Sequence, residues 1–197
     1  MKKLIVAACI ASTVALTAGA AMADSIKGRL GVTGKIGVLA PADNDSDFYN
    51  NKTDAGLVGS AGLIYGLDDH FAAELELSHA AFGSQTGDFG VTDLSFGGQY
   101  RVALANHQLV PYLGVGLDIL FSDYDPNDGE RRDVDTTIGA HAKAGIDYFL
   151  LKQLALSAEA KLVLAPNADI TDNFGDHRGN FDPSSFATTV GVKYFFN

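Results

Sequence analysis

Eight stretches of this chain alternate apolar residues with small or polar ones at a period of two. That is the side-chain period of a β-strand, where successive residues face opposite sides. In the first stretch Leu30, Val32, Ile36, Val38 and Ala40 share one face, and Arg29, Gly31, Thr33, Lys35 and Gly37 share the other. The pattern returns over residues 57–67, 71–78, 94–102, 112–121, 137–148, 154–164 and 186–196. Each stretch is close to the about 9–11 residues with which a tilted strand crosses the hydrocarbon of a bilayer. A soluble sandwich alternates as well, but it has no need of glycine and charge so regularly opposite the apolar face. Here that second face carries Arg29, Lys35, Glu74, Glu76, Arg101, Asp118, Lys143, Asp147, Glu159, Lys161 and Lys193. No later segment approaches the roughly 20 apolar residues of a membrane-spanning helix. A chain that crosses lipid with strands must close them, because hydrocarbon cannot satisfy an open backbone edge. The even count fits a bacterial outer-membrane barrel. The expectation is an all-β fold: an eight-stranded antiparallel transmembrane β-barrel with an up-and-down meander.

The connections alternate in length. Asp68-Asp69-His70, residues 105–108 and residues 151–153 read as tight turns, whereas residues 41–54, 81–91, 122–135 and 165–183 read as long polar loops. Short turns on the periplasmic side and long loops outside is the outer-membrane arrangement, which puts both termini in the periplasm. The aromatic residues agree. Tyr65, Phe71, Tyr100, Tyr148, Tyr194 and Phe196 all have the outward parity and lie near the short-turn end or the C-terminus. Rings of this kind favour the headgroup level, so these six are read as a periplasmic aromatic girdle.

The N-terminus carries its own signal. Lys2 and Lys3 precede an apolar run from Leu4 to about Ala18, and Ala21-Met22-Ala23 follows. A charged start, a short apolar core and an A-x-A site make a secretory leader. Ala21 and Ala23 are its cleavage determinants, with the cut after Ala23. The run is too short and Ala-rich for a membrane anchor. Val6-Ala7-Ala8-Cys9 resembles a lipoprotein box, but only Leu4 and Ile5 separate it from the lysines, so lipidation is rejected. The expected division is a leader at 1–23 and one barrel domain at 24–197.

Removing 23 residues from 197 leaves 174, with no cysteine, since Cys9 is the only one. The leader holds two of the 14 Lys and Arg and none of the 24 acids, so the remainder carries 12 bases and a formal charge of −12. A nucleic-acid partner is not expected, because the chain has no basic footprint.

Pro111-Tyr112-Leu113-Gly114-Val115-Gly116, Ala144-Gly145-Ile146-Asp147-Tyr148 and the region of Glu74 resemble the strands of small OmpA-like barrels, with the OmpX-like and opacity-type proteins. The resemblance extends over Ile26 to Phe196. Its most specific piece is Thr189-Val190-Gly191-Val192-Lys193-Tyr194-Phe195-Phe196. This run is similar to the C-terminal signal that such families present to the barrel-assembly machinery, which assigns Thr189, Gly191, Tyr194 and Phe196 to an assembly signal. Two departures stand out. Asn197 follows the last aromatic, and no peptidoglycan-binding domain follows the barrel, so a wall-tethering role is not carried over. OmpW-type barrels are resembled about as well over Pro111–Phe121 and Gly139–Leu164, and that resemblance implies a channel for small hydrophobic molecules.

Physics argues between these relatives. Eight strands enclose little more than room for side chains. Inward acids and bases in near balance can pair across that space, while isolated ones would be costly to desolvate. The expected lumen is a plug of ion pairs, and the expected role is structural or surface interaction.

No catalytic constellation is visible. His70 and His107 fall in turns, His79 has outward parity near the outer rim, His141 points inward, and His177 lies in a long loop. No nucleophile motif accompanies them, so no enzyme is expected and a hydrolase at the rim is a remote reading. Asp123-Tyr124-Asp125-Pro126-Asn127-Asp128-Gly129 has alternating oxygen donors, but its Gly is one place late for a calcium loop and its twelfth position is Val134. No metal or cofactor is therefore expected. Asp43, Asp45, Asp47, Asp169, Asp172, Asp176 and Asp182 add negative charge on the same side. The partners expected are outer-membrane lipid and lipopolysaccharide, whose bridging cations these acids could share, with the Sec translocon and the barrel-assembly machinery during biogenesis.

Overall fold

The computed structural model describes residues 25–42, 44–46, 49–51, 54–83, 87–102, 104, 108–126, 132–171 and 177–196. The segment expected to be a leader, with Ala21 and Ala23, lies outside them, as do Asp43, Asp47, His107, residues 127–131, Asp172, Asp176 and Asn197.

Eight long strands form the wall: β1 Leu30–Pro41, β2 Gly56–Gly66, β3 Phe71–Gly83, β4 Gly87–Arg101, β5 Leu109–Pro126, β6 Thr137–Phe149, β7 Leu154–Leu164 and β8 Ser185–Phe195. Every neighbouring pair is antiparallel. The closing seam joins β1 to β8 from Gly31↔Phe195 to Pro41↔Ser185, so the meander is a closed barrel. The period-two pattern dictates this outcome directly. Ile36, Leu57, Phe96, Val115 and Ile138 are each more than 60% exposed on the outer surface, and Lys35, Glu74, Glu76, Arg101, Asp118, Lys143, Asp147, Glu159, Lys161 and Lys193 are buried inside. An apolar exterior around a charged interior is the inverse of a soluble protein and fits a lipid environment.

The short-turn end is compact. Leu67 and Asp68 donate backbone hydrogen bonds to the carbonyl of Phe71 (2.8 and 3.2 Å), and Leu150 donates to that of Leu154 (2.9 Å). Asp68 Oδ1 accepts from the backbone N–H groups of His70 and Phe71, each at 2.7 Å. Residues ahead of β1 fold back across this end. Gly28, at φ 72°, donates to the carbonyl of Gly66 at 2.7 Å and lets Ile26 turn inward. Ile26, Ile64, Ala72, Phe149, Ala155 and Phe195 make an apolar floor.

The other end is more ordered than the polar loops imply. β3 and β4 remain paired out to Gly83↔Asp88, and β4 and β5 to Gly87↔Pro126. Most of the loop read at 81–91 is therefore strand. Phe82, Phe89, Val91 and Tyr124 keep the inward parity there and pack together, which holds the ladder beyond the region that alternation revealed. The other three loops carry short strands: Asn44–Ser46 with Tyr49–Asn51, Arg132–Val134, and Ala168–Thr171 with His177–Phe181. Arg132–Val134 pairs with the outer end of β5, and Ala168–Thr171 adds to it, so the sheet branches outward at that edge.

Candidate functional site: the charged lumen

From the short-turn end upward, the lumen is layered. Above the apolar floor, Asp147 on β6 meets Arg101 Nη2 from β4 at 2.8 Å and Lys193 Nζ from β8 at 3.1 Å. Lys193 and Asp147 are both fully buried, and the Lys193 ammonium stands 4.1 Å from the Tyr112 ring centroid. Tyr112 is oriented in turn by Glu159, whose Oε2 accepts its hydroxyl at 2.8 Å. Gly145 makes this possible, because a Cβ there would lie 2.3 Å from the Tyr112 ring.

Lys35 on β1 then reaches Glu76 on β3 at 2.5 Å and Glu159 on β7 at 2.6 Å. Lys143 on β6 pairs with Glu74 on β3 and lies 3.7 Å from Glu159. Gln99 also donates to Glu74, and its carbonyl accepts from Arg101 at 3.4 Å. This lower layer contains four carboxylates (Glu74, Glu76, Asp147, Glu159) and four basic groups (Lys35, Arg101, Lys143, Lys193), and it ties opposite walls together.

A smaller upper layer follows. Lys161 on β7 meets Asp93 on β4 at 2.7 Å and Asp118 on β5 at 2.9 Å. His141 Nδ1 lies 2.9 Å from both oxygens of Asp118. Above it the lumen turns apolar. Phe82, Phe89, Val91, Leu120, Tyr124, Val163, Ala168 and Phe181 cluster there, and Phe89 stacks on Tyr124 at 4.3 Å and on Phe181 at 5.0 Å between centroids. Phe181 and Ala168 come from the excursion between β7 and β8 rather than from the wall.

Of the eleven charges expected inside, ten meet in these two layers, and Arg29 does not. It precedes β1, so its guanidinium sits at the short-turn mouth, half-buried. There it donates to the carbonyls of Lys152 (3.1 Å), Phe195 and Phe196 (3.3 Å each) and lies over the Phe195 ring. Three participants were not singled out from sequence: Asp93, Gln99 and Tyr112. Extending the parity of Leu94 back by one residue would have placed Asp93 inside. The expectation of a charged interior also needs amendment, because the outer part of the lumen is aromatic.

Tyr65, Phe71, Tyr100, Tyr148, Tyr194 and Phe196 are all exposed on the outer surface at the short-turn end. Phe71 packs on Tyr100 at 5.2 Å and Tyr194 on Phe196 at 5.3 Å. In the C-terminal run Thr189 and Gly191 face inward and Tyr194 and Phe196 outward. A Cβ on Gly191 would lie 2.1 Å from the carbonyl oxygen of Gly34, so glycine allows the close β1–β8 seam. His79 is exposed beside Thr92 at 3.0 Å, and His70 stacks on Tyr100. Among the described residues, no group of three acidic, histidine or cysteine side chains is arranged to hold a metal.

Comparison with known proteins agrees with this architecture. The structure is similar to the outer membrane protein OprG from Pseudomonas aeruginosa, with a TM-score of 0.68 at 15% identity, covering 87% of this chain and 97% of that one. It is similar to Neisserial surface protein A, with a TM-score of 0.66 at 14% identity and coverage of 86% and 98%. It also resembles the outer membrane protein AlkL in lipid bilayers, with a TM-score of 0.60 at 17% identity and coverage of 87% and 91%. A search of the curated proteins finds no match. The profile of the family described as "Outer membrane protein beta-barrel domain" matches residues 8–196, and the chain belongs to that family of Gram-negative outer-membrane barrels.

Proposed function

We propose that the protein is a closed outer-membrane barrel whose lumen is sealed by its ion-pair layers, and whose role is structural and surface-directed rather than catalytic. The observation that carries this reading is the lower layer: four carboxylates and four cations, all buried, bridging β1, β3, β4, β6, β7 and β8. Opening a water path there would require parting several charge-assisted contacts in a confined space, where such contacts are strong.

The same reading assigns the remaining parts. The leader is removed after Ala23, and both termini stay in the periplasm. Tyr194 and Phe196 present the assembly signal, and the six outward aromatics sit at the inner headgroup level. Exposed acids at the other end, among them Asp88, Asp123 and Asp135, face lipopolysaccharide and share its divalent cations.

One observation favours a second reading. The upper lumen is filled by Phe82, Phe89, Tyr124 and Phe181, whose packed rings make the way above the ionic layers apolar, as a path for a small hydrophobic molecule would need. Solute uptake into proteoliposomes separates the two. A sealed barrel admits neither a small sugar nor a small hydrophobic probe faster than protein-free liposomes do. Accelerated uptake of the hydrophobic probe alone would favour the second reading, and accelerated uptake of sugar would refute both.

A further inference from the structure

Seven of the eight neighbouring strand pairs are joined by the chain itself. Loops at the outer end link β1 to β2, β3 to β4, β5 to β6 and β7 to β8, and short turns at the other end link β2 to β3, β4 to β5 and β6 to β7. The eighth pair, β8 with β1, closes the barrel at the seam and has no connection of its own. At the short-turn end this ladder stops at the first and last strands, and the ends of a ladder are where opening begins.

We propose that Arg29 is the clasp of this seam, its guanidinium linking the first strand to the last where the other three pairs at this end have a turn. The backbone of Arg29 is held from the β2 side. Its carbonyl accepts from the Gly66 N–H at 3.0 Å, and its own N–H donates to the Ile26 carbonyl at 2.9 Å. The side chain reaches the other way, to β8 and beyond. Nε donates to the carbonyl of Phe196 and Nη2 to that of Phe195, each at 3.3 Å. Nη1 donates to the carbonyl of Lys152, in the turn between β6 and β7, at 3.1 Å. The guanidinium carbon also stands 5.5 Å from the Phe195 ring centroid. Gly31 lets that ring lie there, because a Cβ at Gly31 would be 2.9 Å from its Cδ1.

The chemistry suits the task. A planar fork with five N–H donors serves three diverging carbonyls at once, whereas a lysine offers a single point charge. The three acceptors lie 123, 166 and 167 residues further along the chain, so the contact exists only once β1 and β8 have met. One backbone bond of the seam adjoins it: the Phe196 N–H donates to the Leu30 carbonyl at 2.7 Å. The clasp therefore holds the end of β8 against the start of β1, and opening the seam from this end requires Arg29 to let go. The inference concerns how the barrel stays closed, and it stands or falls independently of whether the lumen conducts.

The test is amide hydrogen exchange of the full barrel in lipid nanodiscs, read by nuclear magnetic resonance. Three amides are compared: Phe196 at the seam, and Leu67 and Val102, whose bonds to the carbonyls of Phe71 and Pro111 close the β2–β3 and β4–β5 pairs at the same end. Arg29→Ala should speed exchange at Phe196 by about tenfold or more, the effect expected of losing charge-assisted hydrogen bonds, and leave Leu67 and Val102 as they were. Arg29→Met keeps a long side chain over Phe195 but has no donor, and it should behave like Arg29→Ala. Wild-type protection of Phe196 in Arg29→Met would overturn the proposal, since packing on the ring would then be the whole contribution. An equal rise at all three amides would overturn it too. A measurement on the wild type alone covers the case in which the variants fail to fold. The Nε–H of Arg29, bonded to the Phe196 carbonyl, should exchange with water far more slowly than that of free arginine, and exchange at the free rate would contradict the clasp.

Discussion

The two ends of the barrel solve the same problem differently. At the short-turn end the connections are a few residues long, the floor is apolar, and the charges above it balance. At the long-loop end the strands run past the region of strict alternation, the lumen is capped by an aromatic stack, and part of that cap comes from the excursion between β7 and β8. The lower half is cross-linked: each of its charges pairs with a charge on another strand, and most have more than one partner. The upper half is modular, because Phe181 and Ala168 are contributed by the excursion between β7 and β8 rather than by the wall. Stability is therefore expected to reside mostly in the lower half, and any response to solutes in the upper.

The largest effect should follow Asp147→Ala. Arg101 and Lys193 both lean on this one carboxylate, and both would be left buried without it. Breaking a buried pair in this way typically costs about 3–5 kcal/mol. Denaturant unfolding in detergent should show that loss, whereas an unchanged midpoint would remove the distinction between the halves. Glu159→Ala should cost less, because Lys35 retains Glu76 and Lys143 retains Glu74.

Phe181→Ala should cost about 1–3 kcal/mol and act locally. Hydrogen exchange is expected to rise in residues 168–181 and at the outer ends of β3–β5, with β7 and β8 still protected near the short turns. Global unfolding by this substitution would show that the excursion belongs to the barrel's framework.

The smallest effect concerns the turn after β2. Asp68 accepts two backbone N–H groups, from His70 and Phe71, and these hold its carboxyl below the usual range. A group with a lowered value in the fold stabilises above its unfolded titration and loses that contribution as pH falls through the folded one. Amide exchange of His70 and Phe71 should therefore quicken in acid, and Asp68→Ala should show the quickened rate already at neutral pH. A rate independent of pH in the wild type, beyond that of the intrinsic chemistry, would contradict this.

Much of this fold is written in the chain's alternation. Leu30 to Ala40, Leu113 to Phe121 and Phe186 to Phe196 announce their faces residue by residue, and the apolar face had to meet lipid or a core. What stayed hidden has physical reasons. Phe82, Phe89 and Tyr124 continue the inward parity, but polar neighbours and glycines around them read as loop. Arg29 shares the parity of the lumen residues, yet parity does not tell how far along the axis a strand begins, and it lies at the mouth. Pairing partners such as Lys35 with Glu159 depend on barrel closure, which brings β1 beside β8. His141 read as a lone inward histidine because its partner, Asp118, comes from another strand.

The central claim is that the ionic layers seal the lumen, and single-channel recording in planar bilayers addresses it most directly. Purified wild-type protein should show no steady open state, while Asp147→Ala, if it inserts, should show flickering conductance as the lower layer loosens. A wild-type barrel with a stable, long-lived open channel would contradict the account, whatever the variant does.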